Sequence, residues 1–208
     1  NFGPGIECFG DGVQVLRLRP AVDGGVVFAL NNSANYHATF SLADTGALRW
    51  VHFYHPLGIE PGTAALAQGP AGEVLITGGQ GSDWNTYSYR TVLFMSDGQE
   101  RWATFRPQPP VPPERKGHYQ GRAVALDPAA GLAVVTGGGS RWRQWGVLEP
   151  PRVITVAFES ATGRELWHQY YPGPVPGHHE ATGVAVDGRG AVYVAGHSDN
   201  AQGGRDLL

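Results

Sequence analysis

The chain is poor in several residue types that would mark particular function classes. It has one cysteine, one methionine and one lysine in 208 residues. Cys8 alone excludes an intrachain disulfide and any zinc site built from a cysteine cluster, and it leaves the redox compartment open. Charged residues make up only 16% and the formal net charge is −3, so there is no strong single-sign field to draw nucleic acid or a membrane surface. Neither is expected as a partner. No apolar run approaches the roughly 18 residues that would span a bilayer. The start at Asn1, without methionine or a signal segment, fits a processed or trimmed N-terminus.

Catalytic patterns are also scarce. No G-x-S-x-G occurs, no paired carboxylates stand out, and Cys8 precedes the first expected strand. Asp-x-Asp calcium loops are absent, although Ser82-Asp83 and Ser198-Asp199-Asn200 offer oxygen ligands. Asp23, Asp44, Asp97, Asp127 and Asp187 mostly fall in turns, where a carboxylate caps backbone N–H groups. No cofactor is expected from these features.

What is abundant is glycine and proline, 31 and 16 residues, which implies many tight turns and little room for long helices. The glycines are periodic. A turn followed by a short apolar run recurs at Gly24 to Leu30, Gly72 to Gly78, Gly131 to Gly137 and Gly190 to Gly196, with closing positions 48, 59 and 59 residues apart. Between these lies a second pattern, an apolar strand, a glycine turn and a strand carrying tryptophan: Asp44-Thr45-Gly46 to Trp50, Ser96-Asp97-Gly98 to Trp102, and Ala161-Thr162-Gly163 to Trp167. Short β-branched and aromatic runs bounded by Gly, Asp and Pro read as strands.

Four strands per unit at a period of 50 to 60 residues predict an all-β fold, a β-propeller, as one region over 1–208. About three and a half four-stranded blades are expected, over 13–54, 63–105, 121–170 and 181–208, the last incomplete. Such an arc does not close, so it is expected to be part of a ring of six to eight blades or to be completed by a partner. Trp50, Trp102 and Trp167 share one register and are expected to be buried structural residues packing between blades.

The stretch from Tyr171 to Gly196, with Ala185-Val186-Asp187-Gly188 and Ala191-Val192-Tyr193-Val194-Ala195-Gly196, resembles the bacterial beta-propeller repeat labelled SBBP. That resemblance implies a secreted, surface or periplasmic bacterial protein, usually without known catalysis. Ala157 to Trp167 is similar to the tryptophan-docking repeat of quinoprotein dehydrogenases and of outer-membrane assembly scaffolds. A quinoprotein would bring adjacent cysteines, calcium ligands and a closed eight-blade ring, from which this chain departs.

Antiparallel order places the short turns on one face and the long connections, Arg106 to Gly121, Gly137 to Arg152 and Tyr171 to Ala181, on the other, with the shorter Asn31 to Tyr36 and Gly79 to Ser88. Long loops on a rigid scaffold are where recognition is usually placed. Trp84, Tyr87, Tyr119, Arg141, Trp142, Arg143 and Trp145 form the candidate partner-binding set, of a composition that suits a protein, peptide or glycan. His118 and His178 occupy matching places, six residues before Val124 and Val184, near the expected channel mouth. With His179 and Glu180 they could hold a metal ion or an anion; the other reading is loop histidines bonded to a neighbouring blade. The sequence therefore points to a non-enzymatic binding or scaffolding module, with a propeller enzyme, a lyase, hydrolase or quinoprotein with its site at the channel mouth, as the alternative.

Overall fold

The computed structural model describes residues 14–31, 37–54, 62–83, 86–106, 117–141 and 152–207. Fifteen strands follow one another among these residues, with no helix. The first unit is β1 (Gln14–Pro20), β2 (Val26–Asn31), β3 (His37–Leu42) and β4 (Leu48–Tyr54). The second is β5 (Gly62–Gln68), β6 (Val74–Asp83), β7 (Thr86–Phe94) and β8 (Glu100–Arg106). The third is β9 (Gly117–Asp127), β10 (Leu132–Arg141), β11 (Arg152–Glu159) and β12 (Glu165–Tyr171). A fourth contains β13 (His179–Val186), β14 (Val192–Asp199) and β15 (Arg205–Leu207). Within each unit every strand pairs antiparallel with the next. The first strands lie side by side, β1 by β5, β5 by β9 and β9 by β13, so the units are arranged as propeller blades with their first strands innermost.

The strands of the four units span 14–54, 62–106, 117–171 and 179–207, and at one edge they run longer than the sequence pattern suggests. Residues 79–83, 86–88, 117–121 and 138–141, expected in loops, extend β6, β7, β9 and β10. Their glycine content hid this. In Gly137-Gly138-Gly139 no apolar alternation is visible, yet the space is needed: a Cβ on Gly139 would stand 2.1 Å from Cδ1 of Tyr119, its cross-strand partner.

Packing between blades explains why the strands read as continuous apolar runs. Val74 and Ile76 of β6, with Val92 and Phe94 of β7 and Leu66 of β5, face blade one against Val27 and Ala29. Leu75 and Leu93, one residue out of phase, face blade three against Val135, Val156 and Phe158. A blade between two neighbours buries both faces, so the period of two is masked by burial on either side. At the centres of blades two and three a threonine pair satisfies its own hydroxyls, Thr77 with Thr91 at 3.2 Å and Thr136 with Thr155 at 2.9 Å.

Two bulges recur. In every inner strand one residue is left over from the pairing, Leu16, Ala64, Arg122 or Thr182. In every fourth strand the residue before the tryptophan is left over, Arg49, Arg101 or Leu166. A bulge bends its strand and re-aims the next side chain. In blades one and two the re-aimed tryptophan docks on the following blade. Trp50 Nε1–H donates to Ser96 O at 2.9 Å, and Trp102 Nε1–H donates to Ser160 O at 2.9 Å. Each indole lies over the turn glycine of that blade, Gly98 or Gly163, where a Cβ would come within 2.5 or 2.7 Å of the ring. Each also packs a phenylalanine, Phe94 at 5.7 Å or Phe158 at 5.9 Å between centroids.

Trp102 is buried, at 8% exposure. Trp167, expected to be buried in the same way, is 39% exposed. The reason is local. Its indole needs the third-to-fourth-strand hairpin of the next blade, and no such hairpin occurs among the described residues, where blade four ends with β15. The adjoining face of blade four is correspondingly open, with Tyr193 61% exposed.

Candidate functional site

The two edges of the blades are built differently. The lower edge is closed by tight turns, several fixed by carboxylates as the sequence suggests. Asp97 Oδ1 accepts from Gln99 N at 2.9 Å, Asp127 Oδ1 from Ala130 N at 3.0 Å, and Asp187 Oδ1 from both Arg189 N and Ala191 N at 2.9 Å. The hydrogen bonds from Ala191 and Arg189 hold the Asp187 carboxyl below its ordinary range. Asp23 instead pairs with Arg49 at 2.6 Å.

At the upper edge the long strands of blades two and three join. Tyr87 of β7 and His118 of β9 form a parallel bridge, and His118 also pairs with Ser140 of β10, which ties the two blades into one eight-stranded sheet. Of the candidate binding residues, Tyr87 and Arg141 therefore stand on strands rather than in loops, as does His118; their side chains are outside the described set, as are Trp84, Trp142, Arg143 and Trp145 altogether. Tyr119, expected on the exposed surface, is 7% exposed and belongs to the core between blades two and three. Its ring fills the space left by Gly139, which is why it is not at the surface.

The candidate metal residues separate by strand alternation. His178 directly precedes β13, and His179 and Glu180 open it. His179 turns inward and is fully buried. Its Nδ1 meets Ser198 Oγ at 2.7 Å and its Nε2 meets Val175 O at 2.8 Å. A carbonyl only accepts, so Nε2 is the donor there and offers no lone pair. Gly173, at φ 73°, lets the incoming chain lie directly on this ring, where a Cβ would fall 2.0 Å from Cε1. His179 is thus a structural anchor and not a candidate ligand.

Glu180 points the other way, toward blade three. Its Oε1 accepts from Arg122 Nε at 2.6 Å, and its Cγ lies 3.8 Å from where a Cβ on Gly138 would be. Arg122 is the bulged residue of β9, which the bulge aims at the next blade. Opposite Glu180 in the β13–β14 register stands His197, absent from the sequence-based candidates. The rings of His178 and His197 stack at 6.2 Å with 13° between planes. Potential ligand atoms of His178, Glu180 and His197 lie within 4.8 Å of one another, the group of this kind found among the described residues. Asp199 holds the cluster's first member in place. Its Oδ2 accepts from His178 N at 2.6 Å, and that bond, with help from Arg205, keeps its carboxyl below the ordinary range. His197 was legible in principle: continuing the strand one residue past Gly196 places it across from Glu180.

No family model matches the chain, and no curated protein matches it. Solved structures do. The chain is similar to quinohemoprotein alcohol dehydrogenase from Comamonas testosteroni, with a TM-score of 0.50 and 12% identity over 94% of this chain and 43% of that one. It also matches the Nup133 β-propeller domain of Vanderwaltozyma polyspora at a TM-score of 0.34 and 9% identity, over 93% of this chain and 57% of that one. The chain thus spans less than two thirds of the length of either. At such identities the likeness is one of fold, and the fold is a β-propeller.

Proposed function

We propose that the chain is a non-enzymatic binding or scaffolding propeller region that engages a protein, peptide or glycan through its upper edge. The observation that carries this reading is the asymmetry of the two edges. Below, the connections 21–25, 69–73, 95–99 and 187–191 are short turns locked by backbone hydrogen bonds. Above, β6, β7, β9 and β10 run to 9–11 residues and bridge between blades, and the connections 107–116 and 142–151 leave from their ends. A stiff raised edge carrying long segments, one of them with two tryptophans and an arginine, lowers the entropy lost on binding, since the platform is already ordered. Trp142, Arg143 and Trp145 are the residue types that dominate binding energy when a partner covers them. The likeness of residues 171–196 to the SBBP repeat supports a secreted, surface or periplasmic bacterial setting.

The test is a selection of the purified chain against a displayed peptide library and a glycan array, run beside the triple variant Trp142→Ala, Arg143→Ala, Trp145→Ala. The reading predicts a recurring peptide motif or glycan class for the parent chain and at least tenfold weaker binding by the variant. Absence of any enrichment, or equal binding by both proteins, would overturn it.

A further inference from the structure

We propose that His178, Glu180 and His197 form a three-ligand site for a divalent metal ion of the zinc type, at the upper end of blade four. The placement follows from strand geometry. Residues 178 and 180 alternate around the inward-facing His179 and so share a face, and register puts His197 directly across from Glu180 on the same face. Two donors thus come from one strand and its entry and one from its neighbour, all three near the upper end of the inner strand. The donor set, two imidazoles and one carboxylate, suits zinc and other late transition ions, whereas calcium and magnesium favour all-oxygen sites.

The surroundings are those of a supported site. Asp199 fixes the backbone of His178, and Asp199 N returns a hydrogen bond to His178 O at 3.1 Å. Arg122 occupies Oε1 of Glu180 and orients the carboxylate, leaving Oε2 for an ion. An ion about 2.0–2.1 Å from each donor needs the donors roughly 3.4 Å apart. From a spread of at most 4.8 Å, that contraction is of the size that side-chain rotation supplies, and His178, the most exposed of the three, is the freest to turn. Three protein ligands leave a fourth position for water or for a donor group on a bound partner.

The site is tested by stripping the purified chain with a chelator and titrating Zn²⁺ against a chromophoric competitor. One equivalent is expected to bind saturably. His178→Ala, His197→Ala and Glu180→Gln are each expected to weaken that binding at least tenfold. His168→Ala, an exposed histidine bonded to Glu165, should leave it unchanged. All four positions are partly exposed or exposed, so the variants should fold, which circular dichroism checks. Failure of the parent chain to take up one equivalent would overturn the proposal, as would parental affinity in His197→Ala.

Discussion

Trp102 and Trp167 hold the same register position in consecutive blades, each just after a bulge, yet one is docked and the other is half open to solvent. The side chain is the same and so is its strand. What differs is the presence of a glycine hairpin from the next blade. Blade one shows the converse: Gly46, at φ 81° in the turn equivalent to those of Gly98 and Gly163, meets nothing within 4 Å. Docking therefore belongs to the pair of blades. A tryptophan after a bulge and a positive-φ glycine in the neighbouring turn make the joint only when they meet.

The largest effect in this comparison should come from Trp102→Ala, which deletes a buried ring and leaves the Ser160 carbonyl without its donor. A loss of about 3–5 kcal/mol in chemical denaturation is expected. Next, Gly163→Ala should cost more than Gly46→Ala. Both carry the penalty for a side chain at positive φ, about 1–2 kcal/mol, but only at Gly163 does the new Cβ meet an indole. The difference, about 1–3 kcal/mol of overpacking, isolates the joint. Trp167→Ala, by contrast, should stay within about 0.5–1 kcal/mol.

The smallest predicted effect separates the two docked joints by pH. Two residues past Trp50 lies His52, whose ring is 5.0 Å from that of Phe94; the equivalent positions in blades two and three are Thr104 and Gln169. Burial holds the His52 pKa below its ordinary 6.5, opposed by Glu100 and aided by Arg90. The unfolded chain therefore takes up the proton first. Stability contributed here is intact above about pH 6.5 and declines as pH falls toward the lowered folded value. His52→Gln should remove that decline, whereas Asp187→Asn should alter only the loss at more acidic pH, through the carboxylate range. Thermal denaturation of both variants from pH 7 to pH 4 checks the order.

Blade count, strand order and the shared register of the three tryptophans were legible because each depends on local pattern: apolar runs, turn glycines and a fixed spacing. The length of β6, β7, β9 and β10 was not, because glycines that make room for a facing ring or for a bulged inner strand look like breakers in a linear reading. Gly137 and Gly196 are of this kind, each with a carbonyl about 2.0–2.1 Å from where a Cβ would sit. In the candidate site, His178 and Glu180 were legible from their pairing with His118 and their place before an inner strand. His197 and Arg122 were not, since one joins through cross-strand register and the other through a bulge that aims it at the next blade. Tyr119 and His179 were misplaced for one reason: a polar aromatic in a nominal loop reads as surface until its partner, Gly139 or Ser198, is known.

The docking account is tested most directly by hydrogen exchange at the indole N–H groups, followed by nitrogen-resolved NMR with each tryptophan assigned by substitution. Trp102 and Trp50 donate to carbonyls and should exchange slowly, Trp102 the slower because it is the more buried, while Trp167 should exchange early. Protection of Trp167 equal to that of Trp102 would contradict the account.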